Sequence, residues 1–569
     1  MLRYRRVAAI KTKPGNDRAR QGGGHMSATE TFHYVIIGAG SAGCVVANRL
    51  TEDPSVSVCL LEAGPRDKNP LIHIPAGFIR MLFHPKYNYM FMGPGEANLK
   101  NRPTFVPRGK TLGGSSSING MIYIRGHARD FDEWAELGNA GWGYDDLLPY
   151  FRKSENNENY KDDKAHGTGG PLNVKYLERP NKLNHVFLEG AAALQKRKIP
   201  DFNAGDNEGY GIFQTTTKAG RRHSVARAFI KPIENRPNLK IITDAQVSNI
   251  VLNGGRATGV AYTVFGQSHR VDARAEVIVS AGAIQSPQVL MLSGIGDPAE
   301  LGKHGIEVKH ALRGVGQNLQ EHISAPVHFM SDRITSYGIS LKAMPKIAWN
   351  ALLYAFARKG LFANNIVESG GFIRTMPGLD RPDVQHIFVP THQGKPGELL
   401  AWGHGFRITT VLLHPKSKGR IGLSSGKVGD PPVIDFRFFS DPGGEDMKAL
   451  IRGIKDARRI LMTPAFDKYR GVAVWPPESV QTDEQIEKFI REYSSTVFHP
   501  VGTCKMGKDD MAVVDDRLRV RGIEGLRVVD ASIMPTVTTG NTNAPTIAIA
   551  EKAADMIKED ARGTQRKAA

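Results

Sequence analysis

The sequence predicts an α/β fold built around a Rossmann-like dinucleotide-binding unit, on three observations. Residues 34–62 hold a complete strand, glycine turn, helix and strand closed by an acid. Residues 277–296 run from an apolar strand into an apolar helix. A strand at 526–530 passes through a Gly/Asn/Pro segment into a last helix. At 569 residues the chain is long enough to bury a large core and to hold more than one domain.

The first unit is the most specific. Tyr34-Val35-Ile36-Ile37 is a short apolar run, as a strand of a buried parallel sheet requires. Gly38-Ala39-Gly40-Ser41-Ala42-Gly43 follows at once, then a helix over residues 44–50 and a strand over 56–61 that ends in Glu62. In this motif Gly38 permits the turn, Gly40 lets the backbone approach a pyrophosphate, and Gly43 lets helix and strand pack closely. The helix N-terminus offers free N–H groups to phosphate, and Glu62 can accept from ribose hydroxyls. A glycine turn without a ligand is the plainer reading of such a motif alone; the strand, helix and acid around it argue against that.

The next glycine-rich stretch runs from Gly109 through Thr111, Gly113, Gly114 and Ser115 to Asn119 and Gly120. Small residues and hydroxyls in succession suit a loop wrapped around a polar ligand, or else a flexible linker. The apolar continuation Met121-Ile122-Tyr123-Ile124 argues for the former. Residues 240–265 read as sheet, and 277–280 as a buried strand leading into a helix that ends near Leu292. Residues 330–500 mix strands, such as 407–413, with amphipathic helices, such as 447–461. A strand at 526–530 and a helix over 546–557 close the chain.

Composition narrows the function classes. Lys plus Arg number 75 against 57 Asp plus Glu, a net charge of +18. No basic stripe with interleaved aromatics accompanies it, so nucleic acid is not an expected partner. A diffuse positive surface suits solubility or contact with an anionic membrane. Three cysteines, Cys44, Cys59 and Cys504, give neither a disulfide framework nor a zinc motif, which points to a reducing compartment and no metal site. No apolar run is long enough to span a bilayer. The basic leader reads as a transit-like segment, a disordered tail, or an over-extended start with Met26 as the biological one; the last is preferred.

Four segments agree on one family. The 109–119 stretch, residues 282–296 with Ser286-Pro287 and Ser293-Gly294-Ile295-Gly296, His499-Pro500-Val501-Gly502-Thr503, and the segment around Asn541 together resemble the glucose-methanol-choline (GMC) flavoprotein oxidoreductases. The resemblance implies FAD and a discontinuous FAD-binding domain, with an inserted α+β substrate domain containing an antiparallel sheet. Its implied divisions are a leader over 1–31, a mostly FAD-binding region over 32–330, a mostly substrate-binding region over 331–498, a catalytic segment over 499–560 and a tail over 561–569. It implies FAD contacts from Gly38, Gly40, Ser41, Ala42, Gly43, Glu62, Ala63, Gly109, Thr111, Gly113, Gly114, Ser115, Asn119 and Gly120. Val247, Asp530, Ala531, Asn541 and Thr542 complete that set.

The resemblance also assigns chemistry. His499 is the implied base for the alcohol proton, with the hydride passing to the flavin. Asn541 is implied to hold the substrate oxygen, although an Asn at a helix start also serves as a cap. Family members that carry FAD covalently do so through a histidine in the first glycine-rich signature; Ile118 stands there, so noncovalent FAD is expected. Cys504 is expected to be a buried structural thiol rather than a nucleophile.

Two subfamilies compete for the substrate. Asn119-Gly120-Met121 and Gln481-Thr482-Asp483-Glu484 are similar to choline dehydrogenases, but Glu321-His322-Ile323 is followed by Ser324 where those enzymes place a carboxylate. Residues 61–67, 69–73, 367–372 and 540–545 are similar to the bacterial FAD-dependent alkanol dehydrogenases. That likeness implies oxidation of a medium-chain or longer primary alcohol and transfer of electrons to a quinone-type acceptor. It also implies a cytoplasmic protein with peripheral contact at the inner membrane. An alcohol oxidase and a flavin-bound scaffold without activity are the remaining readings.

Overall fold

The computed structural model describes residues 29–394 and 401–568, without the side chains of 564–568. In chain order the elements that build the site begin with β1 (Glu30–Ile37), α1 (Gly43–Leu50), β2 (Val58–Leu61) and β3 (Gly209–Ile212). There follow β4 (Leu239–Ile242), β5 (Ala245–Asn253), β6 (Arg256–Val264), β7 (Gln267–Val279) and α2 (Gly282–Leu292). Then come β8 (Ile323–Met330), α3 (Met344–Ala357), β9 (Ser369–Ile373), β10 (Val384–Val389) and β11 (Gly405–Leu412). The series closes with α4 (Glu445–Leu461), β12 (Ala473–Trp475), β13 (Ser495–Thr496), β14 (Leu526–Val528) and α5 (Asn543–Ala568).

Two sheets organise the molecule. The first has the order β4-β2-β1-β7-β6-β5, with β14 beside β7. Its β4, β2, β1, β7 and β14 pairings are parallel, and β5, β6 and β7 form an antiparallel meander. The parallel strands carry near-continuous apolar runs, buried on both faces as such strands must be. Gly43 opens α1 directly over the turn: a Cβ there would lie 1.9 Å from the Gly38 carbonyl oxygen. Arg49 of α1 donates twice, at 2.7 Å, to the fully buried Glu551 of α5, which clamps the last helix onto the first.

The second sheet is antiparallel, in the order β12-β8-β11-β10-β9-β3, with β13 against β8. One face packs on α4, where Gly453 lets the helix approach so closely that a Cβ would meet the Thr410 side chain at 2.6 Å. The period of two along each strand turns the opposite residues, among them Pro326, Ile387, Val389 and Thr409, toward a cavity between the two sheets.

Several bounds differ from the sequence expectations. Residues 1–28, most of the expected leader, lie outside the described residues, and β1 already begins at Glu30 because it pairs with β7 from Val271 onward. The antiparallel sheet takes β3 and β8 from the region before residue 331, since long-range pairing recruits strands irrespective of their order in the chain. The last helix starts at Asn543 rather than 546 and runs to Ala568, through the expected tail at 561–569.

Candidate active site

A cavity of about 550 Å³ lies between the sheets. One wall is backbone and small side chains; the other is apolar, aromatic and basic. On the first wall the β1–α1 turn contributes Gly38, Gly40, Ser41 and Ala42, and the end of β2 contributes Glu62 and Ala63. Gly109, Gly114, Ser115, Asn119 and Gly120 come from the second glycine-rich loop, and Val247 from β5. A Cβ on Gly114 would sit 2.7 Å from the Cα of Gly40, so the two glycine loops touch through their backbones. A Cβ on Gly40 meets no protein atom closer than 3.9 Å and on Gly120 none within 4 Å. Both therefore open onto the cavity and leave room for a ligand against the main chain.

Three expected contacts stand behind this wall. Gly43 packs on the turn. Thr111 donates through Oγ1 to the Pro65 carbonyl at 2.8 Å, and Gly113 donates through its N–H to the Ala39 carbonyl at 2.8 Å. These residues shape the loops rather than face the cavity, because each hydrogen bond draws its group inward. Glu62 is fully enclosed, accepting from the Ala39 and Gly64 N–H groups at 3.0 and 2.8 Å, and burial pushes its carboxyl up to about 7. Asp530 accepts from the Gly282 N–H, the Ser286 hydroxyl and the Ser532 N–H, which ties β14 to the start of α2. Ala531 and Thr542 line the cavity beside it. Ser41 at α1 donates to Asn543 at α5 at 2.7 Å, so both helix starts converge on one space.

His499 and Asn541 meet at the far end. His499 follows Phe498, whose φ of +73° is costly for a bulky residue. That conformation is held from both sides: the Phe498 N–H donates to Thr496 Oγ1 at 2.9 Å, and its carbonyl accepts from Arg108 Nη2 at 2.6 Å. The His499 N–H donates to Glu321 Oε1 at 2.8 Å, and Pro500 keeps the residue extended. Asn541 follows Gly540, whose φ is +114° and whose missing Cβ avoids Ile124.

The hydrogen bonds assign the tautomers. His322 lies 3.0 Å through Nε2 from the Leu413 carbonyl, which can only accept, so Nε2 carries the proton. Burial lowers its pKa to about 4, so the ring is neutral and Nδ1 is an acceptor. His499 Nδ1, 3.0 Å away, must then be the donor. That leaves the His499 Nε2 lone pair facing Asn541 Nδ2, which donates to it at 2.9 Å. Burial, followed by His322 and the Arg108 charge, holds the His499 pKa well below its ordinary value. The result is a neutral imidazole with its basic nitrogen fixed toward the cavity, beside an amide able to hold an oxygen.

His322, Glu321 and Arg108 were not among the predicted site residues. Their signal was the Glu-His pair itself, whose His322 lies 177 residues from His499 in the chain and meets it through the β8–β13 pairing and the Gln320–Val501 bridge. Ser324 lines the cavity, its hydroxyl donating to the Ser495 carbonyl at 3.0 Å. Ile118 also lines it and is buried among Ile72, Met81 and Tyr87. Cys504 is buried, and burial pushes its thiol well above the ordinary value. Among the described residues no cluster of three or more potential ligands could hold a metal ion, and no helix is long and apolar enough to cross a membrane.

Comparison with known proteins agrees with this geometry. Residues 32–324 and 415–550 match the N- and C-terminal models of the GMC oxidoreductases. An alcohol dehydrogenase [acceptor] from Pseudomonas putida is 45% identical over 92% of this chain and 95% of its own length. An oxygen-dependent choline dehydrogenase from Sinorhizobium fredii is 44% identical, with the same coverage. Among solved structures, pyridoxine 4-oxidase from Mesorbium loti superposes with a TM-score of 0.84 at 29% identity, over 93% of this chain and 99% of that one. An Aspergillus oryzae formate oxidase variant, described for its FAD modification, gives 0.87 at 28% identity, over 94% and 99%.

Proposed function

The chain belongs to the GMC oxidoreductase family and uses FAD as its cofactor, and from that premise we propose that it oxidises primary aliphatic alcohols of medium or longer chain to aldehydes. The observation that carries the reading is the neutral His499 with its Nε2 lone pair fixed toward an apolar cavity and Asn541 beside it. The glycine loops and the cavity-facing space at Gly40 and Gly120 fit FAD, which when bound supplies the hydride acceptor. With Ile118 at the position of a linking histidine, the cofactor is held without a covalent bond there.

The protein's part is proton handling and positioning. Asn541 Nδ2 donates to the alcohol oxygen and orients it. His499 Nε2 accepts the hydroxyl proton, while Nδ1–H remains hydrogen-bonded to His322 and keeps the ring from rotating. The Phe498 strain and the hydrogen bond from the His499 N–H to Glu321 fix the backbone from which the base projects. The apolar side chains of Pro326, Val367, Ile387 and Val389 exclude water and take the alkyl chain.

The basic wall argues against choline. Arg108 and Arg407 both line the cavity, and Ser324 stands where a carboxylate would be needed. A quaternary ammonium would meet two like charges.

The surface supports a quinone as the acceptor. On and around α3, Leu341, Met344, Trp349, Leu352 and Phe356 are exposed, at 79%, 47%, 65%, 53% and 88%, and Trp402 adds a further 63% exposed ring. Lys342, Lys346, Arg358 and Lys359 lie around them, and no acid occurs between residues 333 and 367. An apolar helix rimmed with cations suits an anionic bilayer surface, where a lipid-soluble quinone is available as the electron acceptor.

The test is anaerobic mixing of the FAD-loaded protein with 1-octanol, benzyl alcohol or choline while following oxidised-flavin absorbance. Bleaching by octanol is expected. Bleaching by choline with none by octanol would overturn the substrate reading. Faster reoxidation by a soluble quinone than by oxygen is the expected second step.

A further inference from the structure

On the substrate side of the cavity stands a buried charge that the alcohol chemistry does not use. Arg407 of β11 is only 6% exposed and lines the cavity wall. Among the described residues its guanidinium makes a single hydrogen bond, from Nη1 to Thr391 Oγ1 at 2.9 Å, and no acid pairs with it. Its neighbours cannot neutralise it. His328, directly opposite across the β8–β11 pairing, is buried and kept uncharged, its pKa lowered by burial and by Arg407 itself. Of the other buried arginines, Arg125 pairs with Glu155 at 2.7 Å and Arg527 with Glu276 and Asp560, while Arg222, also without an acid among the described residues, donates to the Ile72 and Ser116 carbonyls and to Asn119 Oδ1; Arg407 has only the Thr391 hydroxyl. A buried guanidinium without a counter-charge is costly, and it is satisfied when a ligand brings the anion.

The position of Arg407 says which ligand. Ser324 lies at the His499 end, where β13 pairs with β8 next to the catalytic loop. His328, the partner of Arg407, is four residues further along β8, a rise of about 13 Å. Between the two ends the wall is Pro326 and Thr409, with Ile387 and Val389 on the adjoining strand, and carries no acid. We propose that Arg407 is an anion-binding subsite at the distal end of the substrate cavity, which makes ω-hydroxy carboxylates preferred substrates. The carboxylate is held by the planar guanidinium, and the hydroxyl end reaches His499 and Asn541. The alkyl segment lies along the apolar wall between them. The proposal rests on the alcohol-oxidation reading above and adds the class of tail.

The experiment compares 10-hydroxydecanoate with 1-decanol, and 4-hydroxybutanoate with 1-butanol, on the FAD-loaded wild type, Arg407→Gln and Arg407→Lys. The wild type is expected to show a kcat/KM about tenfold or more higher for the long hydroxy acid than for decanol, with no such preference in the short pair, which cannot span the cavity. Arg407→Gln should lower kcat/KM for 10-hydroxydecanoate by about tenfold to a hundredfold, mainly through KM, while raising it for decanol; Arg407→Lys should restore part of the acid preference. Decanoate, which carries no hydroxyl, serves as a binding probe through its perturbation of the flavin spectrum, and its Kd should weaken in parallel. Equal loss on acid and alkanol would mark a structural role and overturn the subsite, as would a wild type without acid preference. Oxidation of neither long substrate would instead overturn the alcohol-oxidation reading, and the subsite proposal with it.

Discussion

The two walls of the cavity are built on opposite principles. The cofactor wall excludes side chains: at Gly38, Gly43, Gly109 and Gly114 a Cβ would come within 1.9 to 2.7 Å of other backbone, and its enclosed acids are satisfied, Glu62 by two N–H groups and Asp530 by two N–H groups and a hydroxyl. The substrate wall is all side chain, with neutral histidines in series, an apolar stretch and a guanidinium that no acid among the described residues pairs. A backbone wall tolerates almost no substitution and carries little information about the substrate. A side-chain wall sets the substrate and tolerates exchange at graded cost.

That contrast orders the expected effects. Gly114→Val places a branched side chain at a φ of +52° and against Gly40, so the protein should purify without flavin absorbance and without activity. Retention of stoichiometric FAD would break the comparison. On the other wall, His322→Phe removes the acceptor of His499 Nδ1–H without touching the cofactor wall. FAD content should stay normal while the rate of flavin reduction falls by about tenfold to a hundredfold, the cost of an unpaired buried donor and a released tautomer. A change in KM alone would argue against the tautomer assignment.

The pH dependence sharpens the same point. Burial lowers the pKa of His499, so its neutral, proton-accepting form persists to lower pH than that of an ordinary histidine. The rate of flavin reduction should therefore hold between about pH 7 and 6, where an unperturbed imidazole titrating near 6.5 would lose more than half its basic form. A limb at 6.5 or above would contradict the buried, neutral pair. The smallest effect belongs to the outer surface. Trp349→Ser with Phe356→Ser should reduce cosedimentation with anionic vesicles several-fold, more strongly at high salt, and leave octanol oxidation with a soluble acceptor at the wild-type rate.

The walls also differ in how far they could be read from residues alone. The βαβ unit was legible because its parts are contiguous: the spacing of Gly38, Gly40 and Gly43 and the acid at Glu62 are local requirements. Thr111 and Gly113, expected in contact with cofactor, hydrogen-bond to Pro65 and Ala39 behind the wall; loop composition marks a wrapped loop but not which face each residue presents. Arg407 left no local signal, and the Glu321-His322 pair did not by itself say what His322 would meet. Each gains its meaning from antiparallel pairing across β8, β11 and β13, which joins residues far apart in sequence, and spacing does not encode such pairing. The exposed apolar face of α3 was likewise hidden, because an apolar helix reads as core until the packing shows that none of the described residues covers it.

The central claim is that His499 is the base, and single-turnover reduction of bound flavin by saturating 1-octanol tests it most directly. In His499→Ala, with FAD content equal to the wild type, the reduction rate should fall by about a hundredfold to ten-thousandfold at neutral pH and recover in part as rising pH supplies alkoxide from solution. A variant that reduces its flavin within a few-fold of the wild-type rate, with an unchanged pH profile, would contradict the account.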